Sequence, residues 1–131
     1  MALPRIPQPL PAEGFTVPIE QVEYRALLLG FFPVHSKNNL SPQLLLYPAH
    51  LAIKSIRTSQ YEYTALRQVG YRPEQFLSRS KIELRFQDGA RYTLVLASPA
   101  VEQDLLKFLQ AAGAFLTPAA EQHLAGPAAK F

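Results

Sequence analysis

The sequence predicts one mainly β domain: a strongly bent antiparallel sheet or partly open barrel, capped by a single C-terminal amphipathic helix. Three observations point there. Short apolar-alternating runs separated by Gly, Pro and Asn recur through residues 24–96, a spacing that suits hairpin-connected strands. Helical periodicity is clear over residues 99–112. The chain has 131 residues and 48% hydrophobic content, enough for one core and a squeeze for two.

The ends read as extensions. Pro4, Pro7, Pro9 and Pro11 crowd the start, so residues 1–22 are expected to be an extended, Pro-rich segment. Residues 23–113 are the domain. Residues 114–131, with Pro118 and Pro127 among alanines, are expected to be a tail. The apolar residues at the start are interrupted by proline, unlike the core of a signal peptide, and the run 26–34 is too short for a helical membrane span. With no cysteine, disulfides and sulfur-ligated zinc are excluded. The expectation is a cytoplasmic protein, at most peripheral to a membrane.

Residues 24–32 form the first expected strand, apolar on both faces, which implies a cover from the N-terminal segment or another subunit. Leu28 and Phe32 are the candidate apolar contacts. Pro33 ends this strand, and 34–42 reads as a loop. Residues 43–47 and 51–56 flank Tyr47-Pro48-Ala49-His50, where Pro48 suits a turn corner. An even loop then places Leu46 opposite Leu51 and Leu44 opposite Ile53. Residues 58–69 are read as a strand, and 70–80 as a connection with a helical turn at 73–76.

Residues 81–86 and 90–96, joined by Gln87-Asp88-Gly89, form the clearest hairpin. A two-residue loop would pair Phe86 with Arg91 and mix the faces. A three-residue loop with Gly89 left-handed pairs Leu84 with Tyr92 and Ile82 with Leu94. In that register Arg85 and Arg91 face each other on the outer surface, with Lys81 two pleats away. Ser98-Pro99 then opens the helix as cap and first residue. Val101, Leu105, Phe108, Leu109 and Ala112 make its apolar stripe, Glu102 and Asp104 favour its positive end, and Gly113 stops it.

Three passages resemble the pleckstrin-homology-like superfold, especially its small bacterial domains. They are Leu44-Leu45-Leu46-Tyr47-Pro48-Ala49-His50-Leu51-Ala52-Ile53, then Tyr63-Thr64-Ala65-Leu66-Arg67-Gln68-Val69, and the final hairpin with its helix over 81–113. The resemblance implies a binding scaffold in which the helix plugs one end of the bent sheet and ligands meet the loops at the other. Phosphoinositide-binding members carry several basic residues in and after the first strand. Here only Arg25, His35 and Lys37 stand there, a departure that speaks against specific inositol-phosphate recognition.

Chemistry-bearing patterns are sparse. His35, His50 and His123 lie far apart, without metal-ligand spacing, and read as surface histidines. No serine has a nucleophile-elbow context, no carboxylate pair stands out, and Gly30, Gly70 and Gly89 are isolated. Neither a cofactor nor a metal is expected. Of Tyr61, Tyr63, Tyr71, Tyr92, Phe76 and Phe86, most are better used in the core than as a nucleic-acid stacking platform, and the hairpin register turns Tyr92 and Phe86 inward.

Charge is the informative remainder. Residues 24–98 hold ten Lys/Arg against four acids, on a chain whose net charge is only +3. The expected function is a non-catalytic interaction module, binding a protein partner or a second copy of itself. The alternative is a peripheral module that meets anionic lipid through Lys81, Arg85 and Arg91.

Overall fold

The structure is a computed structural model that describes residues 6–7, 9–28, 31–38, 41–55 and 58–125, the side chains of Leu28, Phe32 and Asn38 excepted. These residues form nine strands and two helices. In order they are β1 (Phe15–Val17), β2 (Ile19–Leu28), β3 (Phe32–Asn38), β4 (Gln43–Leu46), β5 (His50–Lys54), β6 (Thr58–Glu62), β7 (Leu66–Arg72), β8 (Lys81–Phe86), β9 (Arg91–Leu96), α1 (Pro99–Ala111) and α2 (Pro118–Ala125).

The strands make two antiparallel sheets, ordered β1-β4-β5-β6 and β3-β2-β9-β8-β7. Only Pro18 separates β1 from β2, and the chain changes sheet there: Val17 pairs with Leu44 in the first sheet, and Val22 with Asn38 and Leu94 in the second. The returning run β3 to β4 makes the same change. One long hairpin therefore bends across both sheets, and the inner faces enclose a single core. Val17, Leu44, Leu46, Leu51 and Ile53 come from one sheet, Val22, Val69, Ile82, Leu84, Tyr92 and Leu94 from the other, and Leu105 and Leu109 from α1. The mainly β class and the closing helix are as expected.

Both expected hairpin registers are present. Leu46 pairs with Leu51 and Leu44 with Ile53, while Ile82 pairs with Leu94, Leu84 with Tyr92 and Arg85 with Arg91. Gly89 has φ of 90°, the left-handed residue that a three-residue loop requires. Ser98 caps α1 by accepting the Val101 N–H at 3.3 Å.

Elsewhere the sequence expectation is corrected. Residues 24–32 are not one strand: β2 ends at Leu28, and Phe32 opens β3, which folds back so that Leu28 and Phe32 are register partners. Residues 29 and 30 lie outside the described residues, as do the Leu28 and Phe32 side chains proposed as apolar contacts. Residues 34–38, expected within a loop, belong to β3, which is a sheet edge. Pro33 is tolerated there, and polar residues need not alternate. β7 runs on to Arg72, so residues 70–72 are strand and not connection. A 3-10 turn at Tyr63–Ala65 divides the run expected as a single strand.

Of the N-terminal residues described, those before β1 reach α1 and the core, while Phe15–Val17 form β1 and Ile19 opens β2. The Ile6 N–H donates to Asp104 Oδ2 at 2.7 Å, and Ile6 and Leu10 pack on the core. The stretch expected as a tail carries α2. Phe115 O accepts the Val69 N–H at 2.8 Å and Val69 O accepts the Thr117 N–H at 2.9 Å, so residues 115–117 cover the outer edge of β7. Leu116 and Ala120 are buried by this contact. It also gives α1 a second buried face: Glu102 and Leu106, both off the expected apolar stripe, are 1% and 0% exposed. Among the described residues, no helix is long and apolar enough to cross a membrane.

Candidate anion-binding face

The outer face of the five-stranded sheet carries its charge in rungs. Along β2, Gln21, Glu23 and Arg25 alternate with Val22, Tyr24 and Ala26, so the polar set points away from the core. Arg25 pairs in register with His35 on β3 and with Arg91 on β9. Arg91 in turn pairs with Arg85 on β8. Opposite Arg85 on β7 stands Gln68, and the register shifts between Leu66 and Gln68, leaving Arg67 as an extra, exposed residue. Such a bulge turns two adjacent side chains toward one position of the neighbouring strand. The result is one rung, His35, Arg25, Arg91, Arg85 and Arg67, crossing all five strands.

Two acids in the next rung hold part of this charge. Glu23 pairs with Lys37 and Thr93 in register, and Glu83 with Thr93 and Gly70. Arg25 reaches Glu23 at 3.1 Å, and Arg85 and Arg72 reach Glu83 at 3.6 and 3.0 Å. Burial alone would raise the Glu23 carboxyl, but hydrogen bonds from His35 and Arg25, with the Arg25 charge, outweigh it and hold the group below its ordinary value. Asp88 is turned to the other side, where it accepts the Ala90 N–H at 2.9 Å and the Tyr61 hydroxyl at 3.3 Å. Arg91 and Arg67 form no ion pair among the described residues.

Two shallow hollows flank the rung. One, of about 530 Å³, is bounded by Arg25, Leu27, Val34, His35, Gly89 and Arg91. The other, of about 310 Å³, is bounded by Arg67, Gln68, Arg85, Gly89 and Arg91. Arg91 lines both. A carboxylate or phosphate entering either hollow meets two or more guanidinium forks, a donor geometry suited to bidentate contacts.

Of the three basic residues expected to act together, the structure joins Arg85 and Arg91 and sets Lys81 apart. Lys81 shares their face but stands four residues from Arg85 along β8, roughly 13 Å away. Sequence reasoning missed Arg25, Arg67 and His35 as members. The alternation in β2 was a usable signal for Arg25, but its neighbour Arg91 is set by a pairing between distant strands.

A second polar cluster lies under α2. His123, expected at the surface of a tail, is largely buried: its ring stacks on Tyr71 with centroids 3.8 Å apart, and Nε2 is 3.0 Å from Glu102 Oε1. The Ser80 hydroxyl donates to Glu102 Oε2 at 2.6 Å. The carboxylate thus stands between hydroxyl and imidazole, so the imidazole does not take the serine proton and the arrangement is a clamp, not an activated nucleophile. Burial, with the Glu102 charge, raises the Tyr71 phenol above its ordinary value. His50 stacks on Tyr47 with centroids 4.6 Å apart. No group of three or more His, Asp or Glu among the described residues is placed to hold a metal ion. The chain matches no protein-family model and no curated protein.

Proposed function

We propose that this chain is a non-catalytic interaction module of pleckstrin-homology-like architecture that docks an acidic segment of a partner protein against the arginine rung. The architectural part is supported by the strand run that serves two antiparallel sheets and by the helix that follows the last strand and packs on the core. A second C-terminal helix goes beyond the resemblance.

The functional part rests on one observation: Arg25, Arg91 and Arg85 are consecutive register partners on three neighbouring strands. Like charges placed directly opposite are destabilising, and the two nearby acids compensate the outer arginines while Arg91 between them goes without. The rung lies on the flank of a sheet. With strands about 4.8 Å apart, Arg25 to Arg67 spans roughly 14 Å, a length that an extended acidic segment can follow.

The test is fluorescence anisotropy with a labelled octaglutamate peptide against the wild type, Arg91→Ser and, as control, Lys107→Ser on the exposed side of α1. Binding is expected to weaken with ionic strength and to fall roughly fivefold or more in Arg91→Ser, the equivalent of about 1 kcal/mol. Equal affinity in all three proteins removes the reading.

A further inference from the structure

The β7–β8 connection ends in a turn that the arginine rung does not use. Gln75 and Ser78 close it with two reciprocal backbone hydrogen bonds, Gln75 N–H to Ser78 O at 2.8 Å and Ser78 N–H to Gln75 O at 2.9 Å. Its apex is Phe76 and Leu77, each 91% exposed. Residue 76 is expected in a helical turn at 73–76, and no such turn is present. Leu77 has φ of 64° and is the one non-glycine residue with positive φ among those described. A leucine disfavours this left-handed conformation, which glycine adopts freely.

Two costs therefore coincide at one tip: apolar side chains in water and a backbone unsuited to its residue. A polar residue at 76 and glycine at 77 would reverse the chain with neither. The closed turn leaves both side chains exposed at its apex, outside the core. At its base Arg72 and Lys81 are register partners, and Arg79 follows the turn, bound to Glu20 and to the Leu96 carbonyl. Arg72 is paired with Glu83 and Arg79 with Glu20, both at exposed guanidinium groups, while Lys81 forms no ion pair among the described residues.

We infer that the Phe76–Leu77 turn is a membrane-interface anchor, which seats its two apical side chains among the acyl chains of a bilayer carrying anionic lipid. A fluid hydrocarbon layer accepts an exposed apolar pair with no complementary pocket, and behind the tip Lys81 is placed to meet acidic headgroups, with Arg72 and Arg79 able to exchange their weak surface ion pairs for them. This surface is separate from the arginine rung, at the opposite end of β8, and does not depend on it. Lys81 belongs to this end.

The experiment is co-flotation with vesicles of phosphatidylserine and phosphatidylcholine, and with phosphatidylcholine alone. The proteins compared are the wild type, Phe76→Ser/Leu77→Ser, and Arg85→Ser/Arg91→Ser. Wild type is expected to partition onto the anionic vesicles, the apical variant to lose roughly tenfold or more of that partitioning, and the rung variant to keep it. An unchanged thermal midpoint shows that the apical variant is folded. In a Phe76→Trp variant the indole emission is expected to shift to the blue on adding anionic vesicles. Absence of wild-type partitioning, equal partitioning of the apical variant, or loss confined to the rung variant overturns the inference. The last outcome would assign lipid to the rung, and the first would leave an apolar pocket of a protein as the occupant of the tip.

Discussion

The imidazole of His123 lies flat on the phenol ring of Tyr71, with 6° between their planes, while its Nε2 touches the Glu102 carboxylate. This contact fastens α2 to β7 and α1 together. Replacing His123 by Ala leaves a carboxylate that is 1% exposed with the Ser80 hydroxyl as its remaining side-chain partner. We expect His123→Ala to lose about 2–3 kcal/mol in denaturant unfolding. Glu102→Gln, which keeps hydrogen bonding without the charge, should lose less.

Leu106 tests the second buried face of α1. It is 0% exposed, and its cover comes from outside the stripe that the helix periodicity shows. Leu106→Ala is expected to cost about 2–5 kcal/mol, whereas Lys107→Ala, on the exposed side, should stay within about 0.5 kcal/mol. Urea unfolding of the two variants makes the comparison.

Arg91 is expected to reduce the stability of the domain that carries it. Because Arg25 and Arg85 are its register partners, Arg91→Ser should raise stability by about 0.2–1 kcal/mol at low salt. The gain should shrink as salt screens the repulsion. Thermal unfolding across an ionic-strength series reads it directly.

Glu23 sets a part of the acid sensitivity. Its folded-state value lies below the ordinary 4.5, so its contribution to stability is fully present above that pH and is lost as pH falls through the depressed value. The stability gap between wild type and Glu23→Gln should therefore close on acidification below 4.5. Denaturant midpoints at a series of pH values follow the gap.

Gly89 holds the register that aligns the arginines. A Cβ there meets nothing within 4 Å, so the penalty of substitution is in the backbone alone, at φ of 90°. Gly89→Ala should cost about 1–2 kcal/mol, and Gly89→Asn less, because asparagine tolerates left-handed geometry. Equal losses in chemical denaturation would mean that the left-handed φ is not what limits the site.

Local pairings were legible in the sequence because each was decided by alternation within a few residues. Leu84 and Tyr92 share a face only with a three-residue loop, and the Leu44–Ile53 pairing needed only an even turn at Pro48. What depended on distant partners was hidden. Arg25 joins Arg91 through a strand pairing that no local pattern reports, and Leu106 and Glu102 read as ordinary helix positions until α2 covers them. β3 escaped because an edge strand with Pro33 and Ser36 has no alternation to display. The bulge at Arg67 and the exposed turn at Phe76 lay in segments whose composition suits strand, helix or core equally well.

The joining of β2 to β9 has a consequence for how the chain is made. On the ribosome the first long hairpin emerges early, but the strand that completes its sheet arrives only with residues 91–96. Until then β2 offers an unpaired edge, and until Pro99–Ala111 follow the core faces lack their closing helix, a state open to association with other chains. Long-range closure of this kind also slows folding, since loop entropy must be overcome before the pairing rewards it.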